Sequence, residues 1–208
     1  MSITDQLLSC FAPVSVQGGE PATLTRIYEP DCNLAVWQRP LPAGVADYVQ
    51  RLLQAGSRVS VRELVPAEAV AGELAGQLPD LPGREALAED VQQLAEMFAC
   101  LFDLPRVGVR LASLQTAMCP RFHVDRLPCR LVCTYSGPGT HWLNQEQRNQ
   151  LLAQGGREPE QWQQLAVGEV ALMKGDGWEG EEGQGLWHRS PPVPTGYRRL
   201  FLSMDFAD

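Results

Sequence analysis

His123 and Asp125 are separated by one residue, and His188 follows 63 residues after Asp125. On an extended strand, residues i and i+2 share a face, roughly 6.6 Å apart along the chain. Two side chains so placed can converge on one ion, and a bent antiparallel sheet would bring His188 beside them. Two imidazoles and one carboxylate, with coordination positions left open, form the facial set that suits non-haem Fe(II). Three protein ligands plus water would equally suit zinc and hydrolysis. His-x-Asp alone is a short pattern that arises often by chance, and a simple hydrogen-bonded His–Asp pair is the plain alternative.

Context makes the set more specific. Arg198 and Arg199 come ten and eleven residues after His188, at the start of an apolar stretch. A guanidinium offers a rigid fork that matches a carboxylate. Alternation along a strand lets only one of the two face an interior, and the residues do not say which. His141 follows "GPGT", a turn signal, and reads as a surface histidine. Cys119-x3-His123 and Cys129-x3-Cys133 form a competing, zinc-like pattern. On strands, residues i and i+4 lie roughly 13 Å apart, too far for one tetrahedral ion with Zn–S bonds of about 2.3 Å.

The elements that must position these groups change character midway. Residues 1–33 read as irregular, and 33–40 as a short strand stopped by Pro40 and Pro42. Helical periodicity follows at 45–56, 66–78 and 83–104; the last has an apolar stripe of Leu87, Val91, Leu94, Met97, Phe98 and Leu101. Beyond Pro105 the pattern alternates, with strands expected at 106–118, 121–125, 129–136, 168–175 and 198–206 and a helical insertion at 144–156. The fold class expected is α+β: a helical and irregular region, 1–105, packed on one face of a sandwich or barrel, 106–208, as one globular unit. The glycine- and glutamate-rich segment 175–187, with Trp178 and Trp187, reads as an ordinary loop or a lid over a site.

The segments "HVD" (123–125), "RLVCTYSGPGTHWL" (130–143), "GEVALMKG" (168–175) and "HRSPPVPTGYRRLFLSMDF" (188–206) resemble, in order, the motifs of the iron- and 2-oxoglutarate-dependent dioxygenases, in their prolyl-hydroxylase and phytanoyl-hydroxylase style. The resemblance covers about residues 106–206. It implies a double-stranded β-helix, a jelly roll of cupin type, with His123, Asp125 and His188 as Fe(II) ligands. Arg198 (prolyl-hydroxylase spacing) or Arg199 (phytanoyl-hydroxylase spacing) would bind the cosubstrate's distal carboxylate, and the hydroxyls of Thr134 and Tyr135 are candidates to steady it. The implied activity is hydroxylation. A non-catalytic zinc- or iron-binding or sensing protein on the same barrel is the alternative, since a fold does not fix a function. The whole chain also resembles an uncharacterised bacterial domain-of-unknown-function family.

Composition narrows the partners. The 208 residues carry 17 basic and 25 acidic side chains, a net charge of −8, with no basic stripe. Nucleic acid and anionic membranes are therefore not expected partners; a small-molecule or peptide substrate is. The N-terminus, "MSITDQLLSCFAPVSVQGG", lacks the basic start and apolar run of a secretory signal, and no stretch approaches the roughly 20 apolar residues of a transmembrane helix. A cytoplasmic location is expected, with the six cysteines reduced.

Overall fold

The computed structural model describes residues 14–206; Cys10 and the N-terminal stretch read above as lacking a signal fall largely outside them. The strands are β1 (Val14–Gly18), β2 (Cys32–Trp37), β3 (Ser60–Val65), β4 (Val107–Leu114), β5 (Cys129–Ser136), β6 (His141–Trp142), β7 (Gln163–Gln164), β8 (Val170–Lys174), β9 (His188–Arg189) and β10 (Arg199–Phe206). The helices are α1 (Ala43–Gln54), α2 (Val70–Gln77), α3 (Arg84–Phe102) and α4 (Gln145–Ala153), with a 3-10 helix at Pro21–Tyr28. Seven strands form one sheet in the order β1-β2-β8-β5-β10-β4-β3, antiparallel except for the β1–β2 pair, and β7-β6-β9 form a second, smaller sheet.

The large sheet has two unlike faces because side chains alternate along each strand. Cys129, Leu131, Cys133 and Tyr135 of β5, Val170 and Leu172 of β8, and Leu200, Leu202 and Met204 of β10 point into a core shared with the helices. There Leu87, Val91, Leu94 and Phe98 of α3 are at most 1% exposed. Burying each such side chain contributes about 1.5–3 kcal/mol, and this stripe holds α3 to the sheet. The helix ends at Asp103, in the left-handed region at φ 51°, a conformation that aspartate tolerates better than most residues. On the opposite face Leu34, Val36, Val132, Ala171, Met173 and Phe201 form a second cluster with Trp142, Leu165 and Leu186. Because both faces are covered, β8 and most of β10 are apolar almost without interruption.

The fold is thus a mixed α and β architecture built on a large, mainly antiparallel sheet. Three of its seven strands, β1, β2 and β3, come from residues before 105, so the sheet and its core draw on both sides of that position. The region read as irregular contains β1 and the 3-10 helix, and residues 121–125, read as a strand, make only a single bridge, His123 to His188. Among the described residues no helix is long and apolar enough to cross a membrane.

Candidate metal centre

His123 and His188 are locked together through their backbones. His123 N–H donates to the His188 carbonyl at 3.0 Å, and His188 N–H donates back to His123 at 2.9 Å. Each ring then places Nδ1 3.0 Å from a carbonyl oxygen, that of Arg121 for His123 and that of Leu186 for His188. A carbonyl only accepts, so Nδ1 carries the hydrogen and Nε2 presents its lone pair to the site. His123 Nε2 lies 3.6 Å from Asp125 Oδ1, and His188 Nε2 lies 3.5 Å from Asp125 Oδ2. The three ligand atoms lie within 4.8 Å of one another.

Asp125 is not on a strand; close backbone packing fixes it. Its carbonyl accepts from Asp176 N–H at 2.8 Å, and Gly175 N–H donates to Pro128 at 2.9 Å. A Cβ on Gly175 would fall 2.1 Å from the Leu127 carbonyl and 2.6 Å from that of Asp125. Only glycine lets the 175–185 loop approach the 125–128 turn this closely. The same loop is pinned elsewhere. Lys174, 1% exposed, reaches Glu181 at 2.8 Å and sits 4.3 Å from the Trp178 ring, which packs on Tyr28 and Phe102. Trp187 packs instead against Phe122, Leu143 and Leu151.

The carboxylate is also gripped from the side by Arg130, which the sequence did not single out. Arg130 Nη1 donates to Asp125 Oδ2 at 2.6 Å, while Nε and Nη2 clamp Asp205 at 2.6 and 3.1 Å. Burial would raise the pKa of Asp125, but His123, His188 and Arg130 together hold it below the usual carboxylate value. The Asp125 hydrogen bond raises that of His123, whereas burial pulls His188 down to about 4, leaving it neutral. Two neutral-capable imidazoles and an ionised, oriented carboxylate fit a divalent metal. Partners that orient a ligand typically matter 10–100-fold. Arg130→Ala is accordingly expected to weaken Mn(II) binding by about that factor, measured by titration calorimetry; unchanged affinity would show that Arg130 does not orient Asp125.

The two arginines go to opposite sides. Arg198 points outward, with Nη1 on the carbonyls of Gly56 and Ser57, 2.5 and 2.8 Å away. Arg199, 1% exposed, faces the second sheet, where Nη2 donates to Thr134 Oγ1 at 3.2 Å and Thr140 Oγ1 at 2.9 Å. Its guanidinium lies 4.0 Å from the centre of the Phe201 ring. No carboxylate pairs with it among the described residues, and its Nε is buried without a partner. Burial alone lowers its pKa to about 10, so the side chain still carries its charge near neutral pH. Thr140, also unforeseen from the sequence, is positioned by Gly139, where a Cβ would meet the Leu165 carbonyl at 1.8 Å.

Other candidates lie elsewhere. Tyr135, proposed beside Thr134, is on the other face of β5, where its hydroxyl donates to Asp90 Oδ2 at 2.7 Å; adjacent strand residues cannot both face one cavity. His141 is 5% exposed rather than on the surface: it opens β6, accepts from Arg189 Nε at 3.3 Å and stacks near Trp162. The cysteine framework does not assemble. Cys129 and Cys133 are buried on the helix side, and burial pushes the Cys133 thiol up to about 12, so neither presents a thiolate. Cys119 is exposed, and the five described cysteines are unpaired. His123 and His188 line a cleft of about 980 Å³ that also includes Thr140, Arg130, Met173 and Phe201.

Two solved structures share this fold over most of the chain. A dioxygenase for auxin oxidation from rice matches with a TM-score of 0.53 at 13% identity, covering 93% of this chain and 82% of its own. The dioxygenase for auxin oxidation 1 from Arabidopsis thaliana, in binary complex with 2-oxoglutarate, matches at 0.57 and 11% identity, covering 94% and 92%. At such identities the likeness is one of fold. No curated protein matches the chain. Residues 18–205, which include every residue of the metal centre, match the family described as Protein of unknown function (DUF1826), and the chain belongs to it.

Proposed function

We propose that this chain is a non-haem, Fe(II)- and 2-oxoglutarate-dependent oxygenase, its two sheets forming the two sides of a double-stranded β-helix of jelly-roll type. One observation carries the reading: His123, Asp125 and His188 converge beside a cleft that the two histidines line, and Thr140 of the same lining accepts a hydrogen bond from a buried, charged arginine, Arg199, with no acid to pair it among the described residues. Leaving a buried charge uncompensated costs several kcal/mol, and a dicarboxylate cosubstrate would supply the missing partner. The shared fold with two plant dioxygenases, one of them solved with 2-oxoglutarate, supports the same reading.

His123 Nε2, His188 Nε2 and an oxygen of Asp125 would hold the metal. When bound, iron supplies the redox chemistry that couples decarboxylation of 2-oxoglutarate to hydroxylation of a substrate C–H bond. The chain's own residues do the positioning. Arg199 would bind the distal carboxylate of 2-oxoglutarate, with Thr134 and Thr140 fixing the plane of its guanidinium. Arg130 keeps Asp125 ionised and oriented. Phe201, Met173 and Val132 give the cleft apolar walls that limit water. A cytoplasmic site of action fits the free thiols.

The test is anaerobic addition of Fe(II) and 2-oxoglutarate. A weak visible charge-transfer band, followed in air by succinate, is expected; absence of both, with zinc retained and no 2-oxoglutarate bound, would overturn the proposal in favour of a metal-holding protein. Arg199→Gln removes one partner of a buried charge pair, typically about 2–5 kcal/mol. Its Kd for 2-oxoglutarate is expected to rise on the order of 100-fold or more, whereas Arg198→Ala leaves it within about twofold, since surface substitutions rarely matter. Calorimetric titration of the two variants separates the roles.

A further inference from the structure

The metal centre occupies one part of the cleft. The wall that β4 and β3 add to it carries two arginines that nothing above employs. Arg62 of β3 lies directly opposite Arg110 of β4, and Arg110 lies directly opposite Ser203 of β10. All three face the cleft, because their neighbours Val61, Val109, Leu111, Leu202 and Met204 point into the helical core. Like charges placed directly opposite on neighbouring strands repel and destabilise the pair. Among the described residues neither arginine has an ion-pair or hydrogen-bond partner. The nearby acids are engaged. Asp205 is clamped by Arg130, and Glu63 accepts from Gln77 at 2.7 Å. A chain of net charge −8 thus sets an unneutralised positive row of two exposed arginines along the open wall of this cleft.

We propose that the cleft takes a small organic anion as its substrate, and that Arg62 and Arg110 grip its carboxylate or phosphate; the inference rests on the oxygenase reading for the identity of the reacting partner. Two forks facing one space match the planar, multidentate recognition that guanidinium gives an oxyanion. A cleft of about 980 Å³ has the capacity of a small-molecule site, and the chain's overall negative charge repels a polyanion. The row is separate from the Arg199 position. Ser203 and Arg199 are four residues apart on β10, roughly 13 Å along the strand. Across the sheet, Arg110 is two strands from Arg130, roughly 10 Å. The anionic group would be held there while a carbon several bonds away reaches the metal centre.

The experiment uses the full chain loaded with Mn(II) and saturated with 2-oxoglutarate, so that Arg199 is occupied. Benzoate and phenyl phosphate are the anionic probes and benzamide the neutral control, each titrated by calorimetry. Saturable binding of at least one anion is expected, weakened about tenfold or more in both Arg62→Gln and Arg110→Gln, with benzamide bound far more weakly and 2-oxoglutarate affinity unchanged in both variants. The better probe distinguishes a carboxylate from a phosphate ligand. Each variant, freed of like-charge repulsion, is also expected to melt no lower than the parent, which establishes that it folds. Equal anion affinity in the variants, equal binding of benzamide, or no saturable binding of either anion at millimolar concentration would overturn the proposal. If the parent protein failed to bind 2-oxoglutarate, the oxygenase reading would fall instead, while anion binding dependent on Arg62 and Arg110 would stand.

Discussion

Replacing His188 with alanine is expected to abolish the response of this protein to a divalent metal. The expected measurement is a thermal shift. A metal present at 100 times its Kd stabilises the folded state by about 2.7 kcal/mol, or about 5–10 °C in Tm for a domain of this size. In His188→Ala the shift should vanish, because the two remaining ligands, His123 and Asp125, already depend on each other and on Arg130 for their orientation. His188 is 6% exposed, so its truncation leaves a cavity and lowers the unliganded Tm as well. His123, which is less buried, offers the cleaner control: His123→Ala should lose the metal-induced shift at little cost to the unliganded fold. A full shift in either variant would remove the triad as the metal centre.

The largest loss of stability is expected far from the metal. Asp90 of α3 takes two hydrogen bonds from Arg39, at 2.6 and 2.8 Å, and a third from the Tyr135 hydroxyl at 2.7 Å. The Arg39 and Asp90 side chains are only 8% and 4% exposed. Asp90→Ala would strand a buried guanidinium and a buried phenol. Breaking a buried pair from one side costs about 3–5 kcal/mol, or about 6–20 °C in Tm. The comparison that isolates the mechanism is the triple variant Arg39→Met, Asp90→Leu, Tyr135→Phe. Replacing every polar member with an apolar one is often neutral or stabilising, so the triple variant should melt well above Asp90→Ala. If it melts no higher, packing rather than the unpaired charge explains the loss. Metal affinity measured well below the melting point should be unaffected, since this network lies on the helix side of the sheet.

Much of this architecture could be read from residue patterns, and what could not has physical reasons. The stripe of α3 and the alternation of β5 and β10 are long enough for periodicity to speak. Strands β6, β7 and β9 contain two residues each, too few for any period. In β3, Glu63 stands where the parity of Val61 and Val65 calls for an apolar residue and Leu64 where it calls for a polar one, which breaks the alternation that would have marked the strand. The spacing of His123 and Asp125 pointed to convergence, but through the geometry of a strand; a single bridge and two close-packed glycine contacts do that work instead. Choosing between Arg198 and Arg199 required knowing which parity of β10 faces the second sheet. That depends on its register with β5, where Phe201 lies opposite Thr134. The same parity sends Tyr135 away from Thr134. Arg130 was illegible because its second partner, Asp205, lies 75 residues along the chain.

The position of β10 bears on the order in which the protein can assemble during synthesis. It is the last of the described strands, yet it lies between β4 and β5. Until its residues have left the ribosome, β4 and β5 each keep an edge open to pairing with other chains, and the core lacks Leu200, Leu202 and Met204. His188 emerges only shortly before it. The site that would hold the metal and the keystone of the sheet are therefore completed together, and a nascent chain that has not yet released β10 has no finished pocket in which to trap an ion.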